Sequence, residues 1–144
     1  MGEKPVTYRG TVYPWHCDQV GHMNVMWYVG KFDEGTWNFF TMLGLPPSYF
    51  RDKHRGMAAV RQDIVYRREL IAGDTVYIKT SMLETRDKVI RFGHEMFNAE
   101  NDELCSFCEL TGVHLDREAR KSCPFPADVL VKAKEMIVSW PHHP

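Results

Sequence analysis

An α+β fold, a curved antiparallel sheet of about five strands wrapped around one long central helix, follows from three features of the sequence. One stretch near the N-terminus carries apolar residues at steps of three and four. The stretches after it are rich in β-branched and aromatic residues. Turns of hairpin length separate those stretches, so their strands run antiparallel.

The elements follow in order. Val6–Tyr13, VTYRGTVY, reads as a strand that Pro14 stops. After a loop from Trp15 to Asn24, the residues Val25, Tyr28, Phe32, Gly35, Phe39 and Met42 fall at helical steps. Val29, Thr36, Phe40 and Leu43 widen this stripe so far that the helix is expected to be covered on several sides. Asn24 suits the N-cap, and Gly44 with Pro46-Pro47 ends the helix. Residues 45–56 form a loop or a short helical turn. Strands are then expected at 57–70, 75–85, 89–99 and 104–115, with turns at AGD, RDK and ENDE between them. Residues 127–137 form a short amphipathic helix, and 138–144 a loose tail of a single domain spanning 1–144.

Composition narrows the function. The 144 residues are 44% hydrophobic and 26% charged, the profile of a globular chain with a core. Lys and Arg number 18 against 19 Asp and Glu, so neither nucleic acid nor an anionic membrane is an expected partner. No apolar run approaches a bilayer span, and no secretory signal opens the chain; a cytoplasmic location is expected. Cys105 and Cys108 have CxxC spacing, but on a strand residues three apart point to opposite faces, so structural thiols are expected. His16 and Cys17 lie beside Asp18 and His22 without a standard zinc spacing, and no metal is assigned.

The segment from Pro14 to Glu34, PWHCDQVGHMNVMWYVGKFDE, concentrates chemistry just before the helix. A helix start has free N–H groups and about half a positive charge. Asp18, His22 and Asn24 are therefore delivered to a place where a carbonyl oxygen can be polarised.

Asp18, Gly21, His22 and Asn24 in DQVGHMN, VYRRELIAGDTV at 65–76 and VHLDREARKSCPFPADV at 113–129 together resemble the hotdog-fold acyl-CoA thioesterases of the 4-hydroxybenzoyl-CoA type. The resemblance covers nearly the whole chain. It implies hydrolysis of an acyl-CoA, less often of an acyl carrier protein thioester. It also implies a homodimer or homotetramer with sites at the subunit interface, and no cofactor, coenzyme A being part of the substrate. Asp18 then acts as general base or as nucleophile, and as turn cap on the plainer reading. The Val25 amide resembles the family's oxyanion donor, with Met26 as neighbour. His22 orients water, assists Asp18 or contacts the thioester carbonyl, Asn24 orients the carbonyl or water or simply caps the helix, and Glu69 aligns with a carboxylate of the fatty-acyl branch or, on the plainer reading, is a strand-end charge.

Arg86 and Lys88 in ETRDKVIR are candidates for the coenzyme A phosphates, against a solvated hairpin. Trp27, Tyr28, Phe32 and Trp37 are candidate acyl-pocket walls, against core packing on the plainer reading; a crowded aromatic wall favours compact acyl groups, and a quaternary ammonium would also suit it, with no feature of the sequence preferring one. Two other readings compete: a hotdog hydratase or dehydratase, and a non-catalytic acyl-CoA sensor.

Overall fold

The structure, a computed structural model, describes residues 2–142. Strand β1 (Val6–Thr11) is followed by helix α1 (Val25–Leu43) and a short helix α2 (Pro47–Lys53). Strands β2 (Arg55–Tyr66), β3 (Thr75–Thr85), β4 (Val89–Asn98) and β5 (Leu104–Asp116) come next. A two-residue strand β6 (Lys121–Ser122) and helix α3 (Ala127–Glu135) complete the order. The sheet runs β1-β3-β4-β5-β2, every pair antiparallel, with β6 beside β5. No helix among the described residues is long and apolar enough to cross a membrane.

Helix α1 begins where the Asn24 side chain accepts the Met26 N–H, and ends at Gly44 with φ 98°. Tyr28, Phe32, Gly35, Thr36, Phe39, Phe40 and Leu43 face the sheet at steps of three and four. They meet the inward residues of the central strands: Phe32 stacks on His94, and Phe39 and Phe40 pack against Phe92. Helix and strand approach so closely at Gly35 that a Cβ there would lie 3.0 Å from Thr7 Oγ1.

Three expectations change. The helix is covered on one side only: Val25 is 54% exposed and Met26 61%, with Val29, Trp37 and Met42 also open. Five strands curl around half of the helix, and its remaining apolar half is left bare in one chain.

The cysteines do not split between the faces. The β4–β5 register passes from Met96↔Ser106 to Phe97↔Leu104, leaving Cys105 as an extra residue. This bulge resets the alternation, and both Cys105 and Cys108 join the core, where burial pushes their thiols up.

Residues 138–142 are not loose. Ile137 and Val138 pair with Met82, and Trp140, 4% exposed, lies across Gly93, where a Cβ would come within 2.5 Å of its ring. His142 stacks on Phe107 and hydrogen-bonds Glu95. The tail covers the outer face of the sheet because it carries an aromatic side chain and Gly93 leaves room for it. Residues 143 and 144 of the expected tail lie outside the described residues.

Candidate active site

The loop before α1 is closed by its own backbone. Cys17 and Met23 form an isolated bridge, Asp18 N–H donates to His22 O, and Gly21, at φ 94°, donates to Asp18 O. Met23 N–H donates to Leu70 O, which fastens the loop to the connection between β2 and β3. That fastening brings His22 to Glu69, with Nε2 3.0 Å from Oε2. A carboxylate only accepts, so His22 carries a hydrogen on Nε2 and aims it at Glu69.

Asp18 is held by both oxygens. Oδ1 accepts the Val20 N–H and Oδ2 accepts the Asn24 side-chain amide, each at 2.9 Å. The Asn24 amide, then the Val20 N–H, hold the carboxyl below the usual aspartate range, and His22 adds to this. Asn24 does two things at once: its oxygen caps α1 at Met26 and its nitrogen fixes Asp18. The turn-capping reading of Asp18 and the capping reading of Asn24 are both part of the geometry.

Of the two amides at the helix start, Met26 N–H is taken by Asn24. Among the described residues nothing accepts the Val25 N–H. Val25, His22, Met23, Tyr28, Tyr66, Arg67, Arg68 and Glu69 border a cavity of about 330 Å³. Tyr66 is a lining residue that sequence reading passed over; its only signal is the spacing Tyr66-x-x-Glu69, which places both at the exit of β2.

Other candidates separate. Tyr28 lines the cavity, but Phe32 is buried core, Trp27 packs on His16, and Trp37 packs on Phe40 and Phe50. Arg86 and Lys88 lie at the turn between β3 and β4, while the Asp18 loop lies by the start of β3, where Val12 N–H meets Asp74 O. With 11 residues in β3, roughly 30 Å of strand lies between them. One chain therefore does not bring these cations to Asp18, and Arg86 is paired with Glu84 at 2.7 Å. His16 Nδ1 accepts the Tyr13 N–H, and burial, then Lys31, lowers its pKa. Among the described residues no group of three or more His, Cys, Asp or Glu could hold a metal ion.

Comparison with known proteins fits this architecture. Residues 12–133 match the model of the thioesterase-like superfamily. An L-carnitine dehydrogenase/betainyl-CoA thioesterase of Rhizobium meliloti is 26% identical over 117 residues, 81% of this chain; the chain spans only 23% of that relative's length. A Staphylococcus aureus protein solved in complex with CoA superposes with a TM-score of 0.88 at 19% identity, over 96% of this chain and 90% of the other. A 1,4-dihydroxy-2-naphthoyl-CoA thioesterase from Synechocystis superposes with a TM-score of 0.79 at 16% identity, over 91% and 96%. The fold is the hotdog, and the chain belongs to the thioesterase-like superfamily.

Proposed function

We propose that this chain hydrolyses an acyl-CoA thioester at the start of α1. The observation that carries the reading is the pairing of an ionised carboxylate with an unpaired amide in one short segment, Asp18 and Val25. The thioester oxygen sits on the Val25 N–H, which gains strength as that oxygen becomes an anion. Asp18 either takes a proton from the attacking water or attacks the carbonyl itself, giving a mixed anhydride that water then opens. In both routes the carbon–sulfur bond breaks, the thiolate of coenzyme A leaves and is protonated, and the acid is released. Asn24 positions Asp18, and Glu69 positions His22 beside the reacting carbon.

The space at Val25 and the tyrosines around it support a compact acyl group. The name of the Rhizobium meliloti relative, a betainyl-CoA thioesterase, supports the same size. We infer self-association through β2 as well. It ends the sheet with an open edge, bears the exposed Val60 and Val65, and accompanies the bare half of α1. Sedimentation would return a dimer or tetramer; a monomer at micromolar concentration contradicts it.

The test of activity is thiol release from a panel of acyl-CoAs. Asp18→Asn should lower kcat by about 10²–10⁴-fold with the thermal midpoint kept. Binding without thiol release in the parent, or parental turnover in Asp18→Asn, overturns the proposal.

A further inference from the structure

We propose that Arg67, with Arg61 on the same face of β2, holds the nucleotide phosphates of coenzyme A in the cleft on the outer face of the sheet. This rests on the thioesterase reading and extends it from the thioester to the far end of the substrate.

One residue joins the site to that cleft. Arg67 borders the cavity at Val25, and it also borders a cleft of about 790 Å³ across the outer face of the sheet. From Arg67 the cleft follows Val65 and Asp63 to Arg61. Alternate residues of a strand share a face, so these side chains form one row about 20 Å long, leading away from Glu69. In an acyl-CoA the pantetheine arm separates the thioester from the phosphates. An arm that leaves Val25 past Arg67 lays the phosphates along this row.

The charges in the cleft leave one cation unspent. It holds three guanidiniums, of Arg61, Arg67 and Arg91, and two carboxylates, of Asp63 and Glu109. Both carboxylates are engaged: Arg61 Nε lies 3.1 Å from Asp63, and Arg91 Nη1 lies 2.9 Å from Glu109. Arg91 also meets Glu84 at 3.3 Å, and His142 is bound to Glu95. Among the described residues, Arg67 has neither a carboxylate partner nor an acceptor for its guanidinium N–H groups.

Arg67 is nevertheless held in place. Its guanidinium lies over the Phe107 ring, 5.4 Å from the centroid. Phe107 is in turn stacked on His142 at 4.1 Å and edge-on to Trp140 at 6.2 Å. The C-terminal segment thus fixes the ring that carries the cation. A guanidinium placed by its face keeps its edge free, and that edge donates two parallel N–H bonds to phosphate oxygens. Self-association through the edge of β2 would use backbone groups and leave this row of side chains on the outer face.

The test compares the acyl-CoA that is turned over fastest with its acyl-pantetheine, the same thioester without phosphates. Arg67 is exposed, so Arg67→Ala and Arg67→Gln should keep the thermal midpoint. Both should raise KM for the acyl-CoA about tenfold or more with kcat kept. Neither should change kcat/KM for the acyl-pantetheine. An unchanged KM for the acyl-CoA, or an equal loss with the acyl-pantetheine, overturns the proposal and leaves the thioesterase reading standing. Calorimetric titration with coenzyme A itself reads the contact without turnover, and the affinity should fall by the same factor. If the parent binds coenzyme A through Arg67 but releases no thiol from any acyl-CoA, the thioesterase reading fails and the phosphate site stands.

Discussion

The start of α1 and its middle each hold a histidine among polar partners, and they are built on opposite rules. At the middle, His94 is fully buried and both ring nitrogens are used. Thr36 spends its hydrogen on Phe32 O, so His94 Nε2–H donates to Thr36. Nδ1 then accepts from Thr80, and Thr80 in turn accepts from Thr7. The chain of hydrogen bonds runs unbroken from Thr7 to Phe32 O, and burial pushes His94 down to a pKa of about 3. At the start, His22 and Asp18 are half open to solvent, and the Val25 N–H is unspent. A closed network specifies packing; an open one leaves groups free to act on a ligand.

That contrast breaks if His94 proves dispensable for stability. His94→Ala leaves a cavity beside Phe32 and strips Thr36 and Thr80 of a partner, so chemical denaturation should report a loss of about 3–5 kcal/mol.

Acid sharpens it next. The unfolded chain takes up a proton at His94 below pH about 6.5, whereas the folded chain does so only near 3. The stabilisation is therefore complete above 6.5 and is lost as pH falls through that window, by about 1.4 kcal/mol per pH unit. Urea midpoints followed from neutral pH to pH ~4 should show this slope in the parent and not in His94→Leu. Parallel profiles would refute the assignment.

Asn24→Ala comes third. Loss of the cap costs about 1 kcal/mol in thermal unfolding, and Asp18, without its amide donor, titrates closer to the ordinary aspartate range. Smallest is Arg86→Ala. Its pair with Glu84 is exposed, so stability should change by no more than about 0.5 kcal/mol.

The same contrast explains what the sequence disclosed. Local rules were enough for α1, because Asn24 and Gly44 terminate it through their own side chain and backbone. The hairpin turns RDK and ENDE were equally plain, joining β3 to β4 and β4 to β5 within a few residues, whereas AGD leads into β3 without a hairpin, because β2 pairs with β5 across the sheet. Asp18, Gly21, His22 and Asn24 were legible for the same reason, being one short loop. What failed needed contacts distant in the chain. The bulge at Cys105 exists only against β4, Trp140 finds Gly93 only after the sheet has formed, and Tyr66 enters the site only because Met23 is tied to Leu70. Arg86 and Lys88 lie at the far end of β3 from the Asp18 loop within one chain, a separation that no local pattern discloses.

The proposed hydrolysis depends on the Val25 amide, and Val25→Pro removes that single hydrogen. Val25 is the first helical residue, where proline is well accepted, and Asn24 before it, at φ −69° and ψ 148°, already has the backbone that proline demands. The valine side chain is mostly exposed, so little packing is lost. Val25→Pro should keep the thermal midpoint and lower kcat for acyl-CoA hydrolysis by about 10²–10³-fold. A folded Val25→Pro variant turning over at the parental rate would contradict it.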